Sequence, residues 1–127
     1  MTGSVAPLVL TLGEPAGVGP EIVAAAWTAL RHEPLAFAVI GDADLMRAQN
    51  VPVVEVGAPG DAADRFARAL PVIHRPLPTP VEVGRPDPAN ALAVADGIEE
   101  AVGFALSGEA SGVVTAPIAK APMYASG

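Results

Sequence analysis

Pro7-Leu8-Val9-Leu10-Thr11-Leu12 is a nearly continuous apolar run, and Gly13-Glu14-Pro15-Ala16-Gly17-Val18-Gly19-Pro20-Glu21 follows it directly. A short apolar run without alternation is the pattern of a strand buried on both faces, as in a parallel sheet. Three glycines and a proline then break regular structure. Pro20 suits the first turn of a helix, and Glu21 favours the positive end of its dipole. The stretch therefore reads as strand, glycine loop, helix, the opening unit of an α/β fold.

The rest of the chain repeats that alternation. Ile22, Val23, Ala26, Trp27 and Leu30 recur at helical spacing, with Arg31 and His32 at the helix end and a stop before Pro34. Leu35 to Ile40 reads as a second buried strand ending at Gly41-Asp42. A short helix is expected over Asp44 to Gln49, capped by Asp42 or Asp44. Val53 to Val56 reads as a third strand, Asp61 to Leu70 as a short amphipathic helix or turn, and Pro71 to His74 as a further strand. Residues 76–90 contain five prolines and form an extended connection, with Val81-Glu82-Val83 as a candidate edge strand. Ala89 to Leu106 is the longest helical pattern, with Leu92, Ala95, Ile98, Val102 and Leu106 on its apolar stripe. Gly112 to Thr115 is a last strand, and Ile118 to Ser126 starts another helix with Gly127 at its C-cap position. Strands alternating with helices predict an α/β open sheet.

Composition narrows the function. The 127 residues carry 14 acids against 7 bases, a net charge of −7. An acidic chain offers no electrostatic footprint to nucleic acid or an anionic membrane, so neither is an expected partner. Absence of cysteine removes disulfides, thiolate metal sites and a cysteine nucleophile. It leaves the compartment open, with a reducing cytoplasm as the simplest expectation, and Met1 to Pro7 lacks the charged n-region and long apolar run of a signal peptide.

Two constellations carry candidate chemistry. Glu14, Gly17 and Gly19 sit where a strand hands over to a helix, the ligand-binding end of open α/β sheets. Backbone approaches a ligand closely at glycine, and N–H groups at a helix start attract anions. The spacing is not the dinucleotide fingerprint, because Ile22 occupies the third glycine position, nor is it a Walker loop. Glu14 would repel a pyrophosphate and suits an ammonium, a hydroxyl or a cation. A tight turn with glycines for geometry alone remains an equal reading. The second constellation is Thr115-Ala116-Pro117-Ile118-Ala119-Lys120, where a hydroxyl, a rigid turn and the only lysine of the chain converge. A lysine among six arginines points to a lysine-specific role toward a phosphate or carboxylate, against the alternative of a solvated surface residue placed there by chance. His32 and His74 belong to no metal-ligand spacing, and Glu99-Glu100 and the pair Asp61 and Asp64 read as solvated faces. Trp27 and Phe104 read as core.

Four stretches together resemble the 4-hydroxythreonine-4-phosphate dehydrogenase (PdxA) family of vitamin B6 biosynthesis. They are Thr11 to Glu21, Ile40-Gly41-Asp42, Gly84-Arg85-Pro86-Asp87-Pro88-Ala89-Asn90-Ala91, and Val113 to Lys120 leading to Gly127. The Gly-Val-Gly-Pro-Glu ending is also similar to the glycine loop of isopropylmalate and isocitrate dehydrogenases. The resemblance implies an open sheet of that dehydrogenase type, with residues 1–127 as the N-terminal portion of a larger two-domain fold. It implies NAD-dependent oxidation and decarboxylation of 4-phosphooxy-L-threonine to 3-amino-2-oxopropyl phosphate. The implied partners are NAD, a divalent metal (zinc, magnesium or cobalt) and a second subunit in a homodimer. Glu14, Gly17, Gly19, Thr115 and Lys120 would line the substrate and cofactor cleft.

The departures from the family are as informative. Its members are over twice this length, and the segment after the position of Gly127 begins with Gly-His-Thr-Glu, whose His-Thr pair binds substrate. The metal-ligand histidines and the phosphate-binding residues lie further on, so no residue of this chain is expected to ligate metal and none is a confirmed catalytic residue. Ala119 replaces an asparagine common before the lysine. The chain alone is therefore expected to be inactive. The competing readings are a truncated ligand- or partner-binding module, a generic nucleotide-binding module, and a related dehydrogenase for another phosphorylated hydroxy acid.

Overall fold

The computed structural model describes residues 5–116. In chain order the elements are β1 (Leu8–Thr11), α1 (Gly19–Leu30), β2 (Phe37–Gly41), α2 (Ala43–Arg47), β3 (Val53–Glu55), β4 (Leu70–His74), α3 (Pro88–Ser107) and β5 (Gly112–Thr115). The five strands form one parallel sheet in the order β3-β4-β2-β1-β5. The expected α/β open sheet is the observed one. The helix expected over Ile118 to Ser126, with Lys120 and the Gly127 cap, lies outside the described residues.

Strand side chains alternate between faces, so the central strands β1, β2 and β4 each feed two cores. Leu10, Phe37, Val39, Leu70 and Val72 face one side, where α1 and α2 cover them with Val23, Trp27 and Met46. Val9, Ala38, Ile40 and Ile73 face the other, beneath Ala101 of α3. This double coverage explains why the strands read as unbroken apolar runs. Trp27 anchors the first core: its indole N–H donates to the Phe66 carbonyl at 2.7 Å, and Phe66 meets Phe37 edge-on at 4.8 Å between ring centroids. Arg31 lies over the outer face of the Trp27 ring.

Several expectations need correction. Ile22 and Leu30 fall on the exposed side of α1, whose buried face is Pro20, Val23, Ala24 and Trp27. The stripe expected to bury α3 is rotated by about one residue. Leu92 and Leu106 are 62% and 84% exposed, while Ala91 and Ala101 are buried. The inward face carries the small residues Ala91, Gly97 and Ala101, and a Cβ on Gly97 would make ordinary contact with Ile40 Cγ2 at 3.7 Å. Phe104 is half-buried at the margin of this second core. Val81-Glu82-Val83 does not join the sheet; a bridge between Glu82 and Arg85 closes a local turn around Gly84, at φ +81°. Of the stretch Asp61 to Leu70, residues 61–69 take the turn alternative, a 3-10 turn at Pro59–Asp61 followed by turns that bury Ala62 and Phe66, and Leu70 opens β4. α3 starts at Pro88, with the Asp87 carboxylate accepting the Ala89 N–H.

The first turn of α1 is set directly on the end of β1. A Cβ on Gly19 would stand 1.7 Å from the Leu12 carbonyl oxygen, so only glycine fits. Gly103 of α3, by contrast, has nothing within 4 Å of a Cβ. Gly19→Ala is expected to destabilise the fold by about 2 kcal/mol or more through backbone overlap. Gly103→Ala should stabilise it by roughly 0.5–1 kcal/mol through helix propensity. Urea unfolding of both variants checks the pair, and a tolerated Gly19→Ala contradicts the close seat.

Candidate functional site

The chain leaves β1 toward β2 through α1 on one face, then crosses from β4 to β5 through α3 on the other. The connections therefore part beside β1, and the crevice beyond its C-terminal end is where open α/β sheets take ligands. Thr11 pairs in register with Thr115, and the Ala116 N–H donates to the Thr11 carbonyl at 3.2 Å. A Cβ on Gly19 would also approach the Ala116 methyl at 3.4 Å. The structure thus brings the glycine loop and the start of the Thr115 segment to one place. Lys120 lies outside the described residues.

Within the loop, Gly13 adopts a left-handed φ of +68°, and Gly17 donates its N–H to the Glu14 carbonyl at 3.0 Å. Glu14 is half-buried, and its Oε1 accepts the Ala16 N–H at 3.0 Å. One carboxylate oxygen therefore holds the loop's own backbone. Gly17 and Thr115 are exposed, whereas Gly19 is buried and structural.

The proline-rich connection returns over the same end of the sheet. Gly84 donates its N–H to the Ala16 carbonyl at 2.8 Å, so this connection is tied to the glycine loop. Asn90, 3% exposed, clamps Thr79 by accepting its N–H and donating to its carbonyl. Asp42 accepts the Asp44 N–H at the start of α2 with one oxygen and the Leu77 N–H with the other. The expected Asp42 cap of α2 is observed, but sequence reasoning singled out neither Asn90 nor the bond from Leu77 to Asp42 as part of a site. The one available signal was their place in the quoted stretches, because a buried asparagine has no periodicity of its own.

His74, at the end of β4, accepts the Ala43 N–H through Nδ1 at 3.0 Å and so supports the start of α2. Arg75 next to it makes a bidentate pair with Glu100 of α3. These hydrogen bonds raise the Arg75 guanidinium above its usual range. Glu100 was expected on a solvated face; its side chain is instead 28% exposed, drawn in by this pairing. Between α3 and the ends of β1 and β2 lies a small cleft lined by Thr11, Gly13, Gly41, Leu45, Val94 and Gly97, with Asp42 and Arg75 also on its wall. Among the described residues no three metal-ligating side chains gather, and no helix is long and apolar enough to cross a membrane.

An all-parallel sheet covered on both faces, with a glycine loop at the parting of its connections, defines an open doubly wound α/β protein. Comparison with known proteins makes the class specific. The family model described as "Pyridoxal phosphate biosynthetic protein PdxA" matches residues 33–127, and the chain belongs to this family. It is 51% identical over 123 residues to a 4-hydroxythreonine-4-phosphate dehydrogenase of Caulobacter vibrioides, covering 95% of this chain and 37% of that protein. It is 50% identical over 126 residues to the Methylorubrum populi enzyme of the same name, covering 90% of this chain and 35% of that protein. Among solved structures, a 4-hydroxythreonine-4-phosphate dehydrogenase from Burkholderia phymatum superposes with a TM-score of 0.86 at 26% identity, over 97% of this chain and 39% of that one. The chain thus spans little more than a third of the length of these relatives.

Asp42 joins α2 to the connection above the sheet. Asp42→Ala is expected to cost about 1–2 kcal/mol, as loss of a helix cap does. Thermal unfolding at neutral pH measures it, and Asp42→Asn, which keeps an acceptor oxygen, should recover part of the loss.

Proposed function

We propose that this chain is the N-terminal α/β portion, residues 1–127, of an NAD-dependent dehydrogenase acting on 4-phosphooxy-L-threonine. In that reaction the secondary hydroxyl is oxidised and the resulting β-keto acid loses carbon dioxide, giving 3-amino-2-oxopropyl phosphate for pyridoxal phosphate synthesis. The observation that carries this reading is the 51% identity to an enzyme bearing that name, over 95% of the chain. The convergence of the quoted stretches at one end of the sheet agrees with it. Gly84 binds Ala16, and Thr11 pairs with Thr115.

In this reading Glu14, Gly17, Gly19, Thr115 and Lys120 form one wall of the substrate and cofactor cleft. Gly19 seats α1 so that the loop stays low, and Gly17 keeps the outer loop free of a side chain. The second oxygen of Glu14 accepts from a substrate hydroxyl or ammonium. The Lys120 ammonium serves an anionic group. NAD accepts the hydride when bound, and the protein orients it. The exposed glycine turn suits one side of such a cofactor, while Glu14 keeps the pyrophosphate away from the loop itself.

The divalent metal does not fit the described residues, which bring together no set of ligands for it. Its ligands are assigned to the polypeptide that the longer relatives possess, and the chain alone is proposed to be inactive. A homodimer, a cytoplasmic location and a small phosphorylated substrate belong to the same proposal. An acidic surface at net charge −7 disfavours nucleic acid and anionic membranes as partners.

Sequencing the reading frame beyond Gly127 tests the assignment. An in-frame continuation through Gly-His-Thr-Glu and later histidines is expected, and that longer protein should reduce NAD with 4-phosphooxy-L-threonine. Chelation should abolish its activity, while residues 1–127 alone should show none. A stop codon immediately after Gly127 would sink the catalytic reading and leave a binding module.

A further inference from the structure

Residues 79–87 form a loop with a closed base and an exposed tip. At the base, Thr79 donates its N–H to Asn90 Oδ1 at 3.1 Å, and its carbonyl accepts from Asn90 Nδ2 at 3.3 Å. The Thr79 hydroxyl donates to Asp87 Oδ2 at 3.2 Å. Asp87 and Asn90 both sit at the start of α3, so the chain entering the loop is pinned to the chain leaving it. No residue from 76 to 87 is buried, and Val83 at the tip is 83% exposed. Packing therefore does little to hold this loop, and its hydrogen bonds set its position.

The tip reaches the glycine loop through the bond from the Gly84 N–H to the Ala16 carbonyl at 2.8 Å. On the other side of the same residue, the Ala16 N–H donates to Glu14 Oε1 at 3.0 Å. A lone hydrogen bond at an exposed tip competes with water, so it persists only where the base already holds the tip in place. Asn90 suits that base. A carboxamide offers a donor and an acceptor together and so matches both backbone groups of Thr79. At 3% exposure it must find those partners within the protein.

We propose that Asn90 is a positioning residue: by closing the base of the 79–87 loop it keeps Gly84 on Ala16, and through Ala16 it fixes where the Glu14 carboxylate points. It acts at a distance, by way of Thr79, the loop and the Ala16 backbone. The last step, from a fixed Glu14 to a well-held substrate, rests on the dehydrogenase reading. The coupling from Asn90 to Gly84 and Ala16 does not.

The test uses the polypeptide of the whole reading frame and the variant Asn90→Asp, which keeps the size and the acceptor but loses the donor toward the Thr79 carbonyl. Amide hydrogen exchange at Gly84 should accelerate about tenfold, the effect of losing one hydrogen bond, and Ala16 should move in the same direction. Amides in the middle of α3 should exchange as in the parent. With 4-phosphooxy-L-threonine, kcat/KM should fall about tenfold, with KM rising more than kcat falls, because the loss lies in holding the substrate. A change confined to the Thr79 amide, with Gly84 and Ala16 as in the parent, overturns the proposal. Lost activity without faster exchange at Gly84 overturns it too. Faster exchange in a protein that does not oxidise this substrate supports the positioning and sinks the dehydrogenase reading alone. If Asn90→Asp does not fold, Thr79→Val decides, since it removes only the bond to Asp87. Exchange at Gly84 about threefold faster then supports the proposal, and unchanged exchange overturns it.

Discussion

A helix can follow a parallel strand this closely only if its first turn passes over the strand's last carbonyl without a side chain between them. Gly19 meets that constraint, with a hypothetical Cβ 1.7 Å from the Leu12 oxygen. The seat aims α1 across the sheet so that Val23 and Trp27 cover Phe37, Val39 and Leu10. The same seat puts the loop of Glu14 and Gly17 beside Ala116 and beneath Gly84. Fold and site therefore rest on one close approach of backbone to backbone.

The second face follows a different rule. α3 lies against β1 and β2 through Ala91, Gly97 and Ala101, and its leucines point outward. Small side chains let the helix settle near the sheet, and where they are smallest a cleft remains above Thr11. Polar groups hold the rim in place. Asn90 clamps Thr79, Asp42 holds both α2 and Leu77, and Arg75 reaches back to Glu100. Each is part-buried or drawn into the surface, where a directed hydrogen bond fixes position as well as adding modest stability.

Much of this was legible in advance because parallel strands buried on both faces have a plain signature. The apolar runs at Leu8–Thr11 and Phe37–Gly41 are strands within a residue or two of their expected ends. The helix starts were equally readable, at Pro20 from the proline and the acidic Glu21 after the glycine loop, and near Ala89 from the apolar spacing that follows the prolines. The inward face of α3 was not, because the apolar pattern offers two stripes about 100° apart and hydrophobicity favours the larger residues. Close packing chose the smaller ones. Val81 to Val83 has the composition of a strand, yet Gly84 turns the chain back before it can pair with the sheet.

The candidate site divides in the same way. The sequence by itself determined that a glycine loop ends a buried strand and that Thr115 ends another, since both follow from local pattern and turn chemistry. Only the tertiary structure decided that the two strands are neighbours in register, that Gly84 closes on Ala16, and that the buried Thr11 hydroxyl faces a cleft without a partner among the described residues. Strand order, long-range hydrogen bonds and the satisfaction of a buried hydroxyl are relations between residues far apart in the chain. Periodicity along the chain carries no record of such relations, because they arise only when the two packed faces of the sheet are assembled.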